Sequence, residues 1–265
     1  MTLINYLRLL KSNLQIILFN KKISLGSKYI LCRTACLVND SIPHLNFKIP
    51  VYNIQKMRID GFFTILTNGK KNLLPILHIN FFHRADIAKL FLQQRNICFF
   101  NKAPEIFLID SFAELVDQKF ISLNDNSFFF SNYSDVKNEI QSKYKCIGLL
   151  DSNCFFSEYL LFFKKFRQLY PQTPVVYFLF PKKLETRELF LKRHNYLRDI
   201  LPLLQNEIED FYFYDIPEKI VNHAQQDDFP YHYCDDVYKY VSSKIKNVID
   251  AKKLNLTKPH QFNND

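Results

Sequence analysis

The sequence predicts an α/β domain: a mostly parallel sheet flanked by helices, joined to an amphipathic first helix and an antiparallel β-hairpin region. Three observations predict it. From residue 105 onward, short continuous apolar runs alternate with stretches of helical periodicity, the pattern of parallel strands covered on both faces. A chain of 265 residues with 48% hydrophobic content is enough to bury one substantial core. Asn68-Gly69 stands between two apolar runs, and both residues tolerate positive φ, as a tight hairpin turn requires.

Taken in order, residues 1–22 form the first element. Leu3, Ile4, Leu7, Leu10, Leu14, Ile17 and Leu18 recur at helical spacing, with Asn5, Arg8, Lys11, Ser12 and Gln15 on the other face. Arg8, Lys11 and Asn13 break the run that a signal peptide would need. The helix is expected to bury Leu3, Leu7, Leu10 and Leu14 on the domain or on a second copy of the chain. The alternative is peripheral contact of residues 3–18 with a membrane surface. Strands are expected at 28–38, 47–52, 61–67 and 73–82, the last two forming a hairpin over 62–82 with Pro75 at an edge or bulge. Helices follow at 84–94, 112–119, 135–143, 155–169, 184–208 (interrupted at Pro202) and 235–249. Strands are expected at 105–109, 127–130, 146–150, 175–180 and 211–214. One domain over 23–250 is the simplest division, with 23–100 a separable β-rich part and 251–265 a polar, disordered tail.

Composition excludes several classes. Four glycines, Gly26, Gly61, Gly69 and Gly148, stand too far apart for a phosphate-cradling loop, so neither a classical dinucleotide fold nor a P-loop enzyme is expected. The six cysteines contain no C-x-x-C pair; Cys98 and Cys146 lie in apolar runs and read as reduced core thiols of a cytoplasmic protein, with no metal site. The formal charge of +9 is spread over doublets such as Lys21-Lys22, Lys70-Lys71 and Lys182-Lys183. That is a solvated basic surface, or one that attracts a coenzyme phosphate, an acidic polysaccharide, a lipid headgroup or nucleic acid, with no specific nucleic-acid site expected; no run is long enough for a dedicated tail.

Three loops at the ends of expected strands carry chemistry. Asp110-Ser111 ends the first α/β strand; Ser111 either exposes a nucleophilic hydroxyl near a helix N-terminus, or caps that helix with Glu114 completing a capping box. Asp151-Ser152-Asn153 follows a middle strand, and Asn153 is either an oxyanion donor or a helix-start residue. In the third loop, over 225–238, His232 stands between Tyr231 and Tyr233 with Asp228 four residues before it. It is either a base oriented by that carboxylate or a structural imidazole in an aromatic cluster.

A serine after the first α/β strand, an asparagine after a middle strand and an Asp/His pair before the last helix resemble the SGNH hydrolase superfamily, the GDSL-like esterases and acyltransferases. The resemblance implies a three-layer α/β fold with Ser111 as nucleophile, His232 as base, Asp228 as orienting carboxylate and Asn153 as oxyanion donor. The chain departs from the pattern: Ile109 replaces the glycine before Asp110-Ser111, no glycine falls near Ser131-Asn132, and Asp228 lies one residue too far from His232. Segments 108–120 and 230–238 also resemble a divergent SGNH-like branch found among bacterial surface-polysaccharide (capsule) genes. In that branch the nucleophile lies in an earlier Gly-Ser-Cys turn. The nearest text here is Gly26-Ser27-Lys28, and on that alignment Ser111 is only a helix cap.

What the resemblance implies is an O-acetyltransferase or esterase acting on a bacterial carbohydrate or glycolipid. It requires no bound cofactor, and acetyl-CoA is an admissible acyl donor. The rivals are a non-catalytic binding protein on the same fold and a glycosyl or sugar-phosphate transferase using Asp227-Asp228 or Asp235-Asp236.

Overall fold

The computed structural model describes residues 3–68, 80–95, 102–224 and 231–256, and side chains from Leu10 onward apart from Ala85. Two sheets organise it. The larger is five-stranded and wholly parallel, in the order β2-β1-β3-β7-β8, built from β1 (Ile30–Arg33), β2 (Val51–Asn53), β3 (Phe107–Asp110), β7 (Val175–Leu179) and β8 (Phe211–Asp215). The smaller is antiparallel, in the order β5-β4-β6, from β4 (Gln118–Ser122), β5 (Phe128–Ser131) and β6 (Tyr144–Gly148).

Every residue of the central strands β1, β3 and β7 is buried, as a parallel sheet covered on both faces requires. The helices of that cover are amphipathic in the expected way. In α6 (Phe155–Leu169) the buried Phe155, Tyr159, Phe162, Phe163 and Phe166 recur every three to four residues, and in α8 (Asp235–Ala251) Val237, Val241, Ile245 and Val248 do the same. α6 packs between α3 (Ile59–Asn68) and α7 (Glu188–Glu207), while α8 packs with α2 (Cys36–Asn39); α7 and α8 both touch β7. With no Trp, Phe rings fill the core, as where Phe107 meets Phe62, Phe162 and Phe166 at 5.1–6.1 Å between centroids. A second aromatic cluster lies under the antiparallel sheet, formed by Phe82, Phe91, Phe120, Phe129 and Tyr144 with α4 (Ala85–Arg95). There the amide of Gln94 on α4 donates to the Phe130 carbonyl oxygen at 2.8 Å and accepts from the Phe130 N–H at 3.0 Å.

Several expectations are corrected. Residues 61–67 are the body of α3, not the first strand of a hairpin. Ile59, Phe62 and Ile65 bury one face at three-residue spacing, and the Thr64 and Thr67 hydroxyls donate back to the carbonyls of Asp60 and Phe63. The intended turn and most of the second strand, 69–79, lie outside the described residues. Residues 28–38 are not one strand, because β1 ends at Arg33 and α2 begins at Cys36. α5 (Phe112–Val116) stops after five residues, and the chain turns into β4 instead of continuing a helix to 119. The helix expected over 135–143 is two 3-10 turns, Tyr133–Asp135 and Asn138–Ser142. α7 runs through Pro202 without ending.

The first helix, α1 (Leu3–Ser24), packs through Ile16, Phe19 and the fully buried Ile23, with Phe19 stacked on Tyr52 at 5.3 Å. Leu10 and Leu14, expected to be buried, are 42% and 56% exposed; the side chains of Leu3 and Leu7 lie outside the described ones. Among the described residues no helix is long and apolar enough to cross a membrane, and Cys32, Cys36, Cys146, Cys154 and Cys234 are free thiols.

One glycine is dictated by packing. A Cβ on Gly61 would stand 2.2 Å from Phe130 Cε2, so α3 approaches β5 only because position 61 has no side chain.

Candidate functional site

From β1 the chain goes to β2 on one side, and β3 lies on the other. The loops leaving the carboxyl ends of β1 and β3 therefore diverge, and it is at such a switch point that doubly wound sheets place their ligand crevice. Its two lips are Thr34-Ala35-Cys36 and Asp110-Ser111-Phe112. Asp110 joins them: Oδ2 accepts from the Ala35 N–H at 2.7 Å and Oδ1 from the Phe112 N–H at 3.2 Å. Behind the first lip, the Asn53 side chain at the end of β2 accepts from Thr34 N–H and donates to its carbonyl oxygen.

Ser111 lies under this floor, fully buried. Its Oγ accepts from the Phe180 N–H at 2.9 Å and its own N–H donates to the Phe178 carbonyl at 3.2 Å, so it ties the β3 turn to the end of β7. It neither exposes a hydroxyl nor caps α5 through its side chain, and no capping box forms, because Glu114 is engaged elsewhere.

The third loop closes over the crevice from above. The Cys36 thiol donates to the Tyr231 carbonyl at 3.1 Å. The Tyr231 ring lies 4.9 Å from Phe112 and 5.8 Å from Phe180, the two residues that flank and bond Ser111. Tyr233 adds a contact to Phe180 at 5.7 Å. Backbone pairing holds the loop, with Ala224 N–H donating to the His232 carbonyl, Cys234 N–H to Asn222, and Tyr233 bridging His223. His232 is thus half-buried between two anchored tyrosines. Asp227 and Asp228 lie outside the described residues. Asp235, at the start of α8, pairs with Lys239 at 2.6 Å and His44 at 3.6 Å. At the rim, the Tyr231 hydroxyl donates to Glu185 Oε2 and contacts Arg187.

Asn153 follows β6, a strand of the antiparallel sheet, and sits exposed in the turn that opens α6, its N–H donating to Asp151 Oδ1. Arg193 spans from this loop to the helix after Ser111, donating to the carbonyls of Leu150 and Glu114 at 2.7 and 2.5 Å.

A polar network supports the crevice from below. Arg33 and Glu114, both essentially inaccessible, form a two-pronged pair at 2.5 and 3.0 Å. Glu114 Oε1 also accepts from the Ile59 N–H, and Arg33 also donates to the Met57 carbonyl. Tyr159 and Tyr177, sharing a hydrogen bond of 2.6 Å, lie beside Arg33. Toward the antiparallel sheet, Lys56 pairs with Asp135 at 2.8 Å and Asp117 at 3.5 Å; burial pushes the Asp117 carboxyl up to about 6 against the pull of Lys56. Among the described residues no group of three or more His, Cys, Asp and Glu side chains is arranged to hold a metal ion.

Burial pushes the Asp110 carboxyl up to about 7, opposed by its two backbone donors and by Arg33. A folded-state value above the unfolded one means that this group stabilises the fold fully below pH 3.8, and that the contribution disappears as pH rises through 7. Relative to Asp110→Asn, the wild-type chain is therefore expected to lose on the order of 4 kcal/mol of unfolding free energy between about pH 4 and pH 8, at 1.36 kcal/mol per pKa unit. Urea titrations at the two pH values check it; a pH-independent difference between the two proteins would show that Asp110 titrates as an ordinary carboxyl.

Sequence reasoning located the Asp110-Ser111 turn and the His232 loop but missed Cys36, which bonds that loop, and the Arg33–Glu114 pair. The available signal was Arg33-Thr34 ending the apolar run Ile30-Leu31-Cys32, a polar stop at the carboxyl end of a strand.

No family model and no curated protein matches the sequence. Among solved structures, the chain is similar to a family two carbohydrate esterase from Clostridium thermocellum in complex with cellohexaose, at 10% identity and a TM-score of 0.44, over 85% of this chain and 64% of that one. It is similar to a salicylyl-acyltransferase from a tetracycline biosynthetic pathway (8%, TM-score 0.42, 88% and 57%) and to an acetyl xylan esterase from the rumen bacterium Butyrivibrio proteoclasticus (10%, 0.39, 86% and 64%). The chain spans less than two thirds of the length of each.

Proposed function

We propose that the chain is an acyl-transfer enzyme, an O-acetyltransferase or esterase acting on a carbohydrate, and that it works in the crevice between the carboxyl ends of β1 and β3. The observation that carries this reading is the seating of the His232 loop across that crevice, through the Cys36–Tyr231 hydrogen bond and the Tyr231 ring on Phe112 and Phe180. The loop that carries His232 is thereby held against the turn that carries Ser111. The carbohydrate class rests on the resemblance of segments 108–120 and 230–238 to the polysaccharide-associated branch.

In this reading the Ser111 oxygen attacks the acyl carbon while His232 takes its proton, and His232 then protonates the departing alkoxide or thiolate. Asp228 orients the imidazole and Asn153 donates to the oxyanion. Water or a sugar hydroxyl next attacks the acyl-enzyme, giving its proton to His232, which passes it to the Ser111 oxygen as the acyl–Ser111 bond breaks. Ser111 is fully buried, so its attack requires the packing around it to open.

The burial of Ser111 favours a second assignment within the same crevice, with Cys36 as the nucleophile. Its thiol already contacts the His232 loop, although burial and then the Asp110 charge push its ionisation well up, so it too needs a base to take its proton.

Incubation with 4-nitrophenyl acetate, quenching and peptide mass mapping separates the two. An acetyl group on the Ser111 peptide, lost in Ser111→Ala, is the expected result; acetylation at Cys36, lost in Cys36→Ala, moves the nucleophile there. Absence of both adducts together with absence of nitrophenol release above background would sink the acyl-transfer reading.

A further inference from the structure

We infer that α1 is a docking element for an anionic lipid surface. The helix has two apolar faces. One is spent inside the protein, through Ile16, Phe19 and Ile23. The other carries Leu10, Leu14, Ile17 and Leu18, each 42–56% exposed, and is prolonged past the helix end by Leu25, 79% exposed. From Leu10 to Leu25 the stripe runs about 22 Å at 1.5 Å per residue. A helix that only covers a domain turns polar residues to solvent, whereas here large aliphatic side chains face outward in a row.

The charges beside the stripe choose the occupant. Lys11, Lys21 and Lys22 are exposed along it, and the sequence of α1, Leu3–Ser24, contains no aspartate or glutamate at all. A second copy of the chain laid against this face would set lysine rows against lysine rows with no acid on either helix to pair them. A surface that is anionic at its headgroups and apolar just beneath satisfies both features together, the lysines staying at headgroup level while the leucines and isoleucine enter the acyl boundary. The inference does not depend on the reaction assigned to the crevice.

Co-sedimentation of the full chain with vesicles tests the inference. Binding to phosphatidylglycerol-containing vesicles, not to phosphatidylcholine alone, is expected, and it weakens with added salt. Lys11→Gln/Lys21→Gln/Lys22→Gln should lower the affinity at least about tenfold. Leu14→Ser/Ile17→Ser/Leu18→Ser should reduce it to background, both variants keeping the wild-type melting temperature because the substituted side chains are exposed. Failure of the wild-type chain to sediment with either vesicle overturns the inference. So does equal binding to both vesicle types, or a vesicle-independent dimer in sedimentation velocity that the Leu/Ile variant dissolves.

Discussion

His232→Ala is expected to lower acyl-transfer turnover by at least about two orders of magnitude while leaving the protein folded, the low end for loss of a general base. The fold should survive because the loop is held by parts the substitution keeps. The His232 carbonyl still accepts from Ala224, Tyr231 keeps Phe112, Phe180 and the Cys36 thiol, and Tyr233 keeps its bridge to His223. An imidazole acting as base must be neutral to take the nucleophile's proton, so wild-type turnover falls on the acid side, and that limb disappears in the variant. Asp228→Asn should do less damage where Asp227 can replace the orienting carboxylate, and the double change should be worse than either alone. A purely structural imidazole gives the opposite profile: a lower melting temperature, with turnover per folded molecule unchanged. A folded His232→Ala protein with wild-type turnover would remove the catalytic assignment.

Glu114→Ala is expected to cost about 3–5 kcal/mol of stability, because it strands the Arg33 guanidinium without a counter-charge in the interior. Glu114 is fully buried and Arg33 2% exposed, so water cannot replace the lost partner. A loss of that size is a large share of the roughly 5–15 kcal/mol that holds a domain together, and it should lower the melting temperature by about 10 °C. Arg33→Met/Glu114→Leu should recover much of it by removing both charges, leaving the Ile59 N–H without its acceptor at about 1–3 kcal/mol. Denaturant melts of the two single variants and the double decide the matter. Equal losses in all three would mean that packing volume, not charge compensation, governs the site.

The parallel half of the fold was legible because its signals are local. Residues 155–169 and 175–180 were expected as helix and strand, and α6 and β7 match them within one residue, since Phe155 to Phe166 carry unmistakable helical spacing and Val175 to Phe180 are uniformly apolar. α3 reads as a strand from sequence because Phe62, Phe63, Ile65 and Leu66 suit either period, and only its packing against α6 decides between them. The antiparallel pairing of β4, β5 and β6 was hidden for a different reason. It is set by contacts across the chain, such as Phe120 opposite Phe129, that no local pattern encodes. At the crevice, polar residues ending an apolar run drew attention to Asp110, Ser111 and His232. Cys36 escaped because a four-residue helix after a four-residue strand reads as one continuous apolar segment.

The side-chain amide of Gln94 bears on how one edge of the small sheet is protected. Phe128-Phe129-Phe130 is the outer strand of the small sheet, three aromatic residues without charge or proline, a composition that favours edge-to-edge strand pairing between molecules. The outward-facing N–H and C=O of Phe130 are among the groups a foreign strand would capture. Gln94 fills both, acting as a one-residue strand supplied by a helix, and at 1% exposure it cannot be displaced without lifting α4 from the aromatic cluster beneath it. At that position the edge is closed by a plug whose removal means local unfolding, so α4 guards this part of the edge against strand pairing between molecules.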